Sequence, residues 1–291
     1  MNELYGTGVA LITPFEDNGS VDYKGLERLV DHQIKNGINY LVVLGTTGEP
    51  ATLSFEEKEL VKQCIITVND GRIPLVLGIG GNNTAAVVHE IQQTDLTDFT
   101  AVLSVSPYYN RPNQEGIYQH FKAISRASSK PIIVYNVPGR TGSNMEAETV
   151  IRLAEDFENI IGVKEAKGDM VQAMRLIKGT PDNFMVISGD DMIALPMVLA
   201  GGVGVISVIG QAFPKDFANS IQQALNGEIA PANALQYKLM DAIDLIFEEG
   251  NPGGIKSLLA SLQICSRNVR LPLVESSYEL QQKISNFVAD Y

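Results

Sequence analysis

Short apolar runs alternate with longer amphipathic segments along most of this chain. The runs are rich in Val, Ile and Leu and show little alternation with polar residues, which is typical of strands buried on both faces. Eight such runs occur, at 9–14, 40–45, 74–80, 101–107, 131–136, 160–166, 184–190 and 203–208. Buried strands separated by longer segments indicate a parallel sheet with connecting helices.

The intervening segments show the patterns of helices and of helix ends. Segment 22–36 repeats apolar residues at helical spacing and stops before Gly37. A second helix is predicted to begin at Ser54, because Glu57 follows three residues later and completes a capping box. A third is predicted to begin at Asn113.

The number of strand–helix units separates two α/β architectures. Eight strands with interleaved helices is the count for a (β/α)8 TIM barrel, and we predict that fold. The competing architecture is a doubly wound sheet, which usually carries a glycine-rich dinucleotide-binding turn after its first strand. Here the first run ends in Ile12-Thr13-Pro14-Phe15 without such a turn, which favours the barrel.

The strand pattern stops in the last quarter of the chain. Segments 225–249, 252–263 and 276–289 have helical patterns instead. We therefore predict that residues 1–226 form the barrel, which carries the active site, and that residues 227–291 form a small C-terminal helical domain.

Composition and charge exclude several classes of protein. A hydrophobic fraction of 45% is enough for a large core and argues against disorder. The net charge of −12 argues against a nucleic-acid partner, because phosphate binding requires clustered Lys and Arg. No signal peptide and no membrane-spanning run are visible. The two cysteines, Cys64 and Cys265, are expected to be buried free thiols, so we predict a cytoplasmic protein.

Lys164 is the most informative residue for function. It ends an apolar run, 160–163, and is followed by Glu165. Burial at such a position disfavours the ammonium form and lowers the pKa of the amine. A neutral amine attacks ketones, so Lys164 is a candidate for Schiff-base chemistry. The alternative is that Lys164 extends its charge into water, and position alone leaves both interpretations open.

Other candidate residues lie at strand ends, which is where barrels place their active residues. Tyr135 could transfer protons, or it could be an amphipathic residue of the rim with its hydroxyl in water. Arg140 follows a Pro-Gly turn and could bind a carboxylate, or it could form a weak surface ion pair. The run Gly45-Thr46-Thr47-Gly48 could hold a small anion, or it could be an ordinary turn.

The sequence shows no metal-binding or cofactor motif. His32, His89 and His120 all lie in helical patterns without the spacing of metal ligands, so we assign no metal site. Asp190 and Asp191 could bind a metal or form an acid–base pair. The preceding Ser-Gly instead favours an aspartate that caps the next helix.

Three motifs at the strand ends are specific enough to indicate a family. They are Gly45-Thr46-Thr47-Gly48-Glu49, Tyr135-Asn136-Val137-Pro138-Gly139-Arg140-Thr141-Gly142 and Gly162-Val163-Lys164-Glu165-Ala166. Through them the chain resembles, over nearly its whole length, the pyruvate-dependent class I aldolases. That family includes dihydrodipicolinate synthase (4-hydroxy-tetrahydrodipicolinate synthase) and N-acetylneuraminate lyase. Thr46, Thr47 and Arg140 match the dipicolinate synthase branch.

The resemblance implies a lyase-type condensation. Lys164 would form an imine with pyruvate, and the derived enamine would add to L-aspartate 4-semialdehyde. This is the first committed step of diaminopimelate and lysine biosynthesis, and it needs no metal or organic cofactor. The resemblance also implies that Tyr135, Thr46 and Tyr109 form a proton relay.

The resemblance further implies how substrates are held. Arg140 would bind the semialdehyde carboxylate, and Thr47 and the backbone near Ile206 would hold pyruvate. Gly189 would allow close approach beside the imine. The family's equivalent of Tyr109 enters a neighbouring subunit's site, which implies a homo-oligomer, commonly a homotetramer built as a dimer of dimers.

The chain departs from the branch at the positions associated with lysine inhibition. Inhibited enzymes place a carboxylate and a histidine in a cleft at the dimer interface, whereas this chain has Ala86 and Lys58; Asn82 and Tyr108 are retained. Losing an anion and gaining a cation disfavours a cationic ligand, so we predict weak or absent inhibition by lysine. Gly139 replaces a common serine, and we expect a looser Arg140 turn with unchanged chemistry.

Two other functions are compatible with parts of the sequence. One is a related pyruvate aldolase, such as N-acetylneuraminate lyase or 2-keto-3-deoxygluconate aldolase. Arg140 suits a short semialdehyde with a terminal carboxylate better than a polyol. The other is a catalytically silent barrel used for binding. The joint presence of Lys164, Tyr135, Thr46 and Arg140 argues against it.

Overall fold

A computed structural model describes residues 2–291, without the side chain of Asn2. The described chain contains eight parallel strands that close into a barrel in chain order, β1 to β8. They are β1 Gly6–Ala10, β2 Tyr40–Val43, β3 Leu75–Gly78, β4 Ala101–Val105, β5 Ile132–Asn136, β6 Ile160–Glu165, β7 Met185–Ser188 and β8 Gly204–Ser207. The predicted TIM barrel is confirmed, and the doubly wound sheet is wrong.

Helices alternate with the strands and continue alone after β8. They are α1 Tyr23–Lys35, α2 Phe55–Asn69, α3 Thr84–Gln93, α4 Gln114–Ala127, α5 Pro138–Thr141, α6 Ala147–Asp156, α7 Met170–Gly179, α8 Ala194–Leu199, α9 Pro214–Leu225, α10 Ile229–Glu248, α11 Gly253–Ser261 and α12 Tyr278–Asp290. Within residues 2–291, no helix is both long enough and apolar enough to cross a membrane.

The helix starts follow the local capping chemistry. The side chain of Asp22 accepts a hydrogen bond from the Gly25 amide at the start of α1. Ser54 and Glu57 form the full capping box of α2. Asn113 caps α4 through the Gly116 amide. All three predicted starts are confirmed, because each depends on side chains within one helical turn.

The strands are shorter than the apolar runs that predicted them. The first strand is Gly6–Ala10 rather than 9–14. The Leu11 amide still donates to the Val42 carbonyl of β2, and the chain then leaves the sheet while remaining buried. Beyond it, the Ile12 amide donates to the side chain of Gln211 at 2.8 Å. Buried residues at a strand end keep the apolar pattern without strand pairing, so hydrophobicity alone overestimates strand length.

The C-terminal segment is helical, as predicted, but its first helix boundary was wrong. Residues 225–249 contain the last residue of α9, a break and then α10. The break lies at Asn226 and Gly227, where Gly227 has φ of +80°, a value that favours glycine. By internal contacts the chain forms two compact units, one with residues up to Pro74 and Ser207–Tyr291, the other Leu75–Ile206. A domain boundary at 226 stays a prediction.

Both cysteines are free thiols, as predicted. Cys265 is buried, whereas Cys64 in α2 is only half-buried, so its predicted full burial was wrong. Burial raises the pKa of the Cys64 thiol to about 11 and that of Cys265 to about 12. Both are therefore thiols rather than thiolates at neutral pH.

Candidate active site

Lys164 is the penultimate residue of β6, which ends at Glu165. The sequence pattern placed Lys164 at the end of the apolar run, so the strand extends one residue further. It lies beside Tyr135 of β5 and Ile187 of β7 in the parallel register. The residue is only 5% exposed, so the alternative of an amine extended into water is wrong. The pKa of the amine is lowered to about 8: burial lowers it most, the Asp191 charge raises it, and the Arg140 charge lowers it. The lowered pKa increases the share of neutral amine at neutral pH, and the neutral amine is the nucleophilic form.

Tyr135 packs against this amine. The Nζ atom of Lys164 lies 4.4 Å from the centroid of the Tyr135 ring. Tyr135 is 6% exposed, so the residue is largely buried. The parallel pairing of β5 and β6 sets Tyr135 beside Lys164, so a side chain capable of proton transfer neighbours a candidate nucleophile.

Gly189 follows β7 and lies against the Lys164 side chain. A Cβ atom built at residue 189 would lie 2.8 Å from Cε of Lys164 and 2.6 Å from Cβ of Ala166. Both distances are shorter than van der Waals contact, so only glycine fits without displacing the lysine. This agrees with the close approach that the family resemblance implies.

Replacing Gly189 with alanine should therefore impair imine formation. We expect Gly189→Ala to slow it by at least about 10-fold, because the lysine must move from its packed position. Stopped-flow measurement of pyruvate binding checks this. Gly139→Ala is the matched control, since a Cβ at that helical glycine meets no atom within 4 Å. A rate for Gly189→Ala equal to that of the control would contradict the packing argument.

Asp190 and Asp191 do not cap a helix, contrary to the sequence prediction. The N-cap of α8 is Ile193, without a side-chain hydrogen bond. The Asp190 carboxylate instead accepts from the Met192 amide at 2.9 Å, closing a local turn. Asp191 is buried, and its charge favours the ammonium form of Lys164. The proximity of Asp191 to Lys164 was not predicted from the sequence, although Asp191 follows β7, the strand that pairs with the one carrying Lys164.

Arg140 lies on α5, a single helical turn rather than a loop, directly after β5. The amides of Arg140, Thr141 and Gly142 donate to the carbonyls of Val137 and Pro138 and close the turn. The Arg140 side chain is exposed, and its charge reaches Lys164 strongly enough to lower the pKa of the amine. A guanidinium in this position can attract an anionic substrate towards the lysine.

The Thr46-Thr47 pair lies after β2, in the other compact unit. Residues Thr46–Gly48 form a 3₁₀ turn in which Thr46 is exposed and Thr47 is buried. The Thr47 hydroxyl accepts a hydrogen bond of 2.9 Å from the Asn251 side chain. Asn251 was not found from the sequence, because it lies 204 residues away and belongs to no motif.

Tyr109 is one of the exposed residues among the predicted site residues. It is 89% exposed, and its backbone has φ of +69°, an unfavourable value for a residue other than glycine. The carbonyl of neighbouring Tyr108 accepts from the Asn82 side chain at 3.1 Å. Ile206, by contrast, is buried within β8. The functional roles given to Tyr109 and Ile206 stay predictions.

The histidines lie apart from any group of metal ligands. Among residues 2–291, no cluster of His, Cys, Asp or Glu could hold a metal ion. His120 is buried, its Nδ1 lies 2.8 Å from the Thr84 hydroxyl, and burial lowers its pKa to about 4. It is therefore a neutral residue of the helical layer.

Comparison with known proteins matches residues 3–290 to the dihydrodipicolinate synthetase family. A 4-hydroxy-tetrahydrodipicolinate synthase of Flavobacterium psychrophilum is 58% identical over 287 residues, which cover 99% of this chain and 98% of the relative. Two solved structures also match 99% of this chain and 98% of their own. The chloride-inhibited dihydrodipicolinate synthase of Acinetobacter baumannii complexed with pyruvate has a TM-score of 0.95 at 38% identity. The enzyme of Cyanidioschyzon merolae with lysine bound has a TM-score of 0.94 at 34% identity.

The family model and the relatives cover nearly the whole chain, and they include both the barrel and the C-terminal helices. The family resemblance inferred from the three motifs is thereby confirmed. The chain belongs to the dihydrodipicolinate synthetase family.

Proposed function

We propose that this chain condenses pyruvate with L-aspartate 4-semialdehyde to give 4-hydroxy-tetrahydrodipicolinate through an imine on Lys164. One observation carries the proposal: Lys164 is a buried amine, with a pKa lowered to about 8, packed against a buried tyrosine at the barrel rim. The identity of 58% to a 4-hydroxy-tetrahydrodipicolinate synthase supports this substrate pair over that of another pyruvate aldolase.

The proposed reaction proceeds through an imine, an enamine and a ring closure. The neutral Lys164 amine adds to C2 of pyruvate and water leaves, which gives an imine. Loss of a proton from the methyl carbon of the protonated imine gives an enamine. The enamine carbon attacks the aldehyde carbon of the semialdehyde, the aldehyde oxygen takes up a proton, and the protonated imine re-forms. The substrate's own amine then attacks the imine carbon, closes the ring and releases Lys164. We assign proton transfer at the lysine to Tyr135, whose ring centroid lies 4.4 Å from Nζ of Lys164.

The resemblance gives the remaining roles. Thr46 and Tyr109 would complete the proton relay with Tyr135, while Thr47 and the backbone near Ile206 would hold the pyruvate carboxylate. No metal or organic cofactor takes part, because the protonated imine itself accepts the electron pair of the cleaved C–H bond. The expected cytoplasmic location also stays a prediction.

Tyr109 supports a homo-oligomer. An aromatic ring that is almost fully exposed, on a strained backbone, gains little within one subunit. A second copy of the chain would cover the ring and receive its hydroxyl, as the family resemblance implies. We propose a homotetramer built as a dimer of dimers.

Arg140→Ala tests the assignment of the second substrate. We expect imine formation with pyruvate to remain, and kcat/KM for the semialdehyde to fall about 10- to 100-fold, since a charge-assisted hydrogen bond to its carboxylate is lost. A coupled assay with saturating pyruvate measures this. The variant also removes a cation that lowers the pKa of Lys164, so the rise in imine formation should move to higher pH.

Arg140→Lys is the matched control, because it keeps the positive charge and removes the planar guanidinium group that can bind a carboxylate through two hydrogen bonds. It should restore the pH profile but only part of the semialdehyde affinity. Wild-type turnover of the semialdehyde by Arg140→Ala would show that Arg140 does not bind the carboxylate of the semialdehyde. Preference of the wild-type enzyme for a sugar-derived aldehyde in the same assay would favour the other pyruvate aldolases.

L-Lysine should inhibit this enzyme weakly or not at all. Ala86 is a neutral, exposed residue of α3, and Lys58 of α2 adds a positive charge where inhibited relatives carry a histidine. Initial rates at increasing L-lysine check the prediction, with Ala86→Glu and Lys58→His together as the comparison. Wild-type inhibition at low-millimolar L-lysine or below would contradict it.

A further inference from the structure

Glu165 is a fully buried carboxylate directly after Lys164, with 0% exposure. An ionised carboxylate in such a place requires compensating hydrogen bonds. Within the described chain it accepts them from uncharged N–H groups. The Asn136 amide lies 3.0 Å from both oxygens, the Lys167 backbone amide 2.8 Å from Oε1, and the Gln172 side chain 2.8 Å from Oε2.

The orientations of these side-chain amides are fixed by the backbone of Met145. The Met145 N–H donates to Oδ1 of Asn136 at 2.9 Å, so the NH₂ group of Asn136 must face Glu165. The Met145 carbonyl accepts from Nε2 of Gln172 at 3.1 Å, which directs the NH₂ group of Gln172 to the same carboxylate. Glu165 is therefore an acceptor at both oxygens, and only the ionised form satisfies every donor.

The network joins the two strands that carry the reactive groups. Asn136 is the last residue of β5 and follows Tyr135, while Glu165 follows Lys164. Asn144 extends the network beyond α5: its Oδ1 accepts from Asn136 at 2.9 Å and its Nδ2 donates to Gln172 at 2.9 Å. Both ends of segment 137–143 are thus tied to Glu165, and that segment contains Arg140.

We propose that Glu165 is a positioning residue that fixes the Arg140 segment relative to Lys164 and so sets the affinity for the second substrate. The inference rests on the proposed function, because it takes Arg140 as the site of the semialdehyde carboxylate. Glu165 touches no reacting atom. Its effect passes through Asn136, Asn144 and Gln172, whose hydrogen bonds hold the segment from both sides.

Glu165→Gln is the sharpest test, because it preserves shape and removes half of the acceptors. In either orientation of the new amide, two of the present N–H donors would face an NH₂ group. We expect KM for the semialdehyde to rise about 10- to 100-fold, since small misplacements of a binding group have effects of this size. Borohydride trapping of pyruvate on Lys164 should stay within about 3-fold of wild type, because the β5–β6 pairing remains.

A double-mutant cycle separates positioning from general destabilisation. If Glu165 acts through Arg140, Arg140→Ala with Glu165→Gln should use the semialdehyde no worse than Arg140→Ala alone. Gln172→Met is the second variant, should Glu165→Gln fail to fold. It removes one donor to Glu165 and should raise the same KM by a smaller factor.

The inference would be overturned if the two substitutions had fully multiplicative effects in the double-mutant cycle, or if the variants lost pyruvate trapping and semialdehyde use equally. An unchanged KM in both variants would also overturn it. Failure of the wild-type enzyme to trap pyruvate would instead refute the proposed function. The two failures are therefore distinguishable.

Discussion

Lys164→Ala should abolish pyruvate trapping by borohydride and lower turnover by at least about 1,000-fold, because it removes the buried amine that would form the imine beside Tyr135. Turnover should remain low at every pyruvate concentration, because more pyruvate cannot replace the missing amine. Mass spectrometry of the intact protein after borohydride measures trapping, and a coupled assay measures turnover.

Lys178→Ala is the control for a general effect of removing a lysine. Lys178 is an exposed residue in the last turn of α7, and its loss should leave both trapping and turnover at the wild-type level. Normal turnover by Lys164→Ala would show that Lys164 is not the nucleophile. Trapping on a different peptide would move the site to another lysine.

Lys256→Met should lower the free energy of unfolding by about 3–5 kcal/mol, because it leaves a buried carboxylate without its cation. Lys256 in α11 is buried with Glu49, and its Nζ lies 2.5 Å from Oε1 of that residue. The same Nζ donates to the Asn268 carbonyl at 2.8 Å and lies 4.1 Å from the Phe15 ring centroid. Urea denaturation followed by circular dichroism measures the change.

Two further variants separate the orphaned charge from other effects. Lys256→Met combined with Glu49→Gln removes both charges and should recover part of the stability, since the remaining cost is that of unpaired polar groups. Lys283→Met breaks an exposed pair with Glu248 and should cost about 0–1 kcal/mol. A loss for Lys256→Met as small as that for Lys283→Met would show that the buried pair contributes little.

The pair also gives a structural role to Glu49, the last residue of the first sequence motif. Glu49 directly follows the Thr46–Gly48 turn and has φ of +54°, an unfavourable backbone conformation. Its carboxylate accepts from Lys256 and from the Arg270 backbone amide at 3.1 Å. These bonds anchor the residue that ends the threonine turn to the C-terminal segment.

The fold could be predicted because its signals are local or periodic. Each buried strand carries its own apolar run, and the caps at Asp22, Ser54 and Asn113 act within one helical turn. Strand ends were overestimated, because rim residues such as Leu11 and Ile12 are buried without belonging to a strand. Burial and strand pairing are separate properties, and the sequence pattern reports only the first.

The candidate site could be predicted where one residue carries the chemistry. A lysine in an apolar strand is visible in the sequence, and so is a tyrosine at the end of the preceding strand. Asn251 and Gln172 were not visible, because ordinary polar residues acquire a role only when folding brings them to Thr47 or to Glu165. The Asp190-Asp191 pair was misread since its turn resembles a helix cap in sequence.

The central claim is that the buried amine of Lys164 becomes covalently joined to pyruvate. A crystal of the wild-type enzyme soaked with pyruvate tests it most directly. We expect continuous electron density from Nζ of Lys164 to C2 of the keto acid, with the Tyr135 ring alongside. Density that stops at the lysine, with pyruvate bound elsewhere or not at all, would contradict the account.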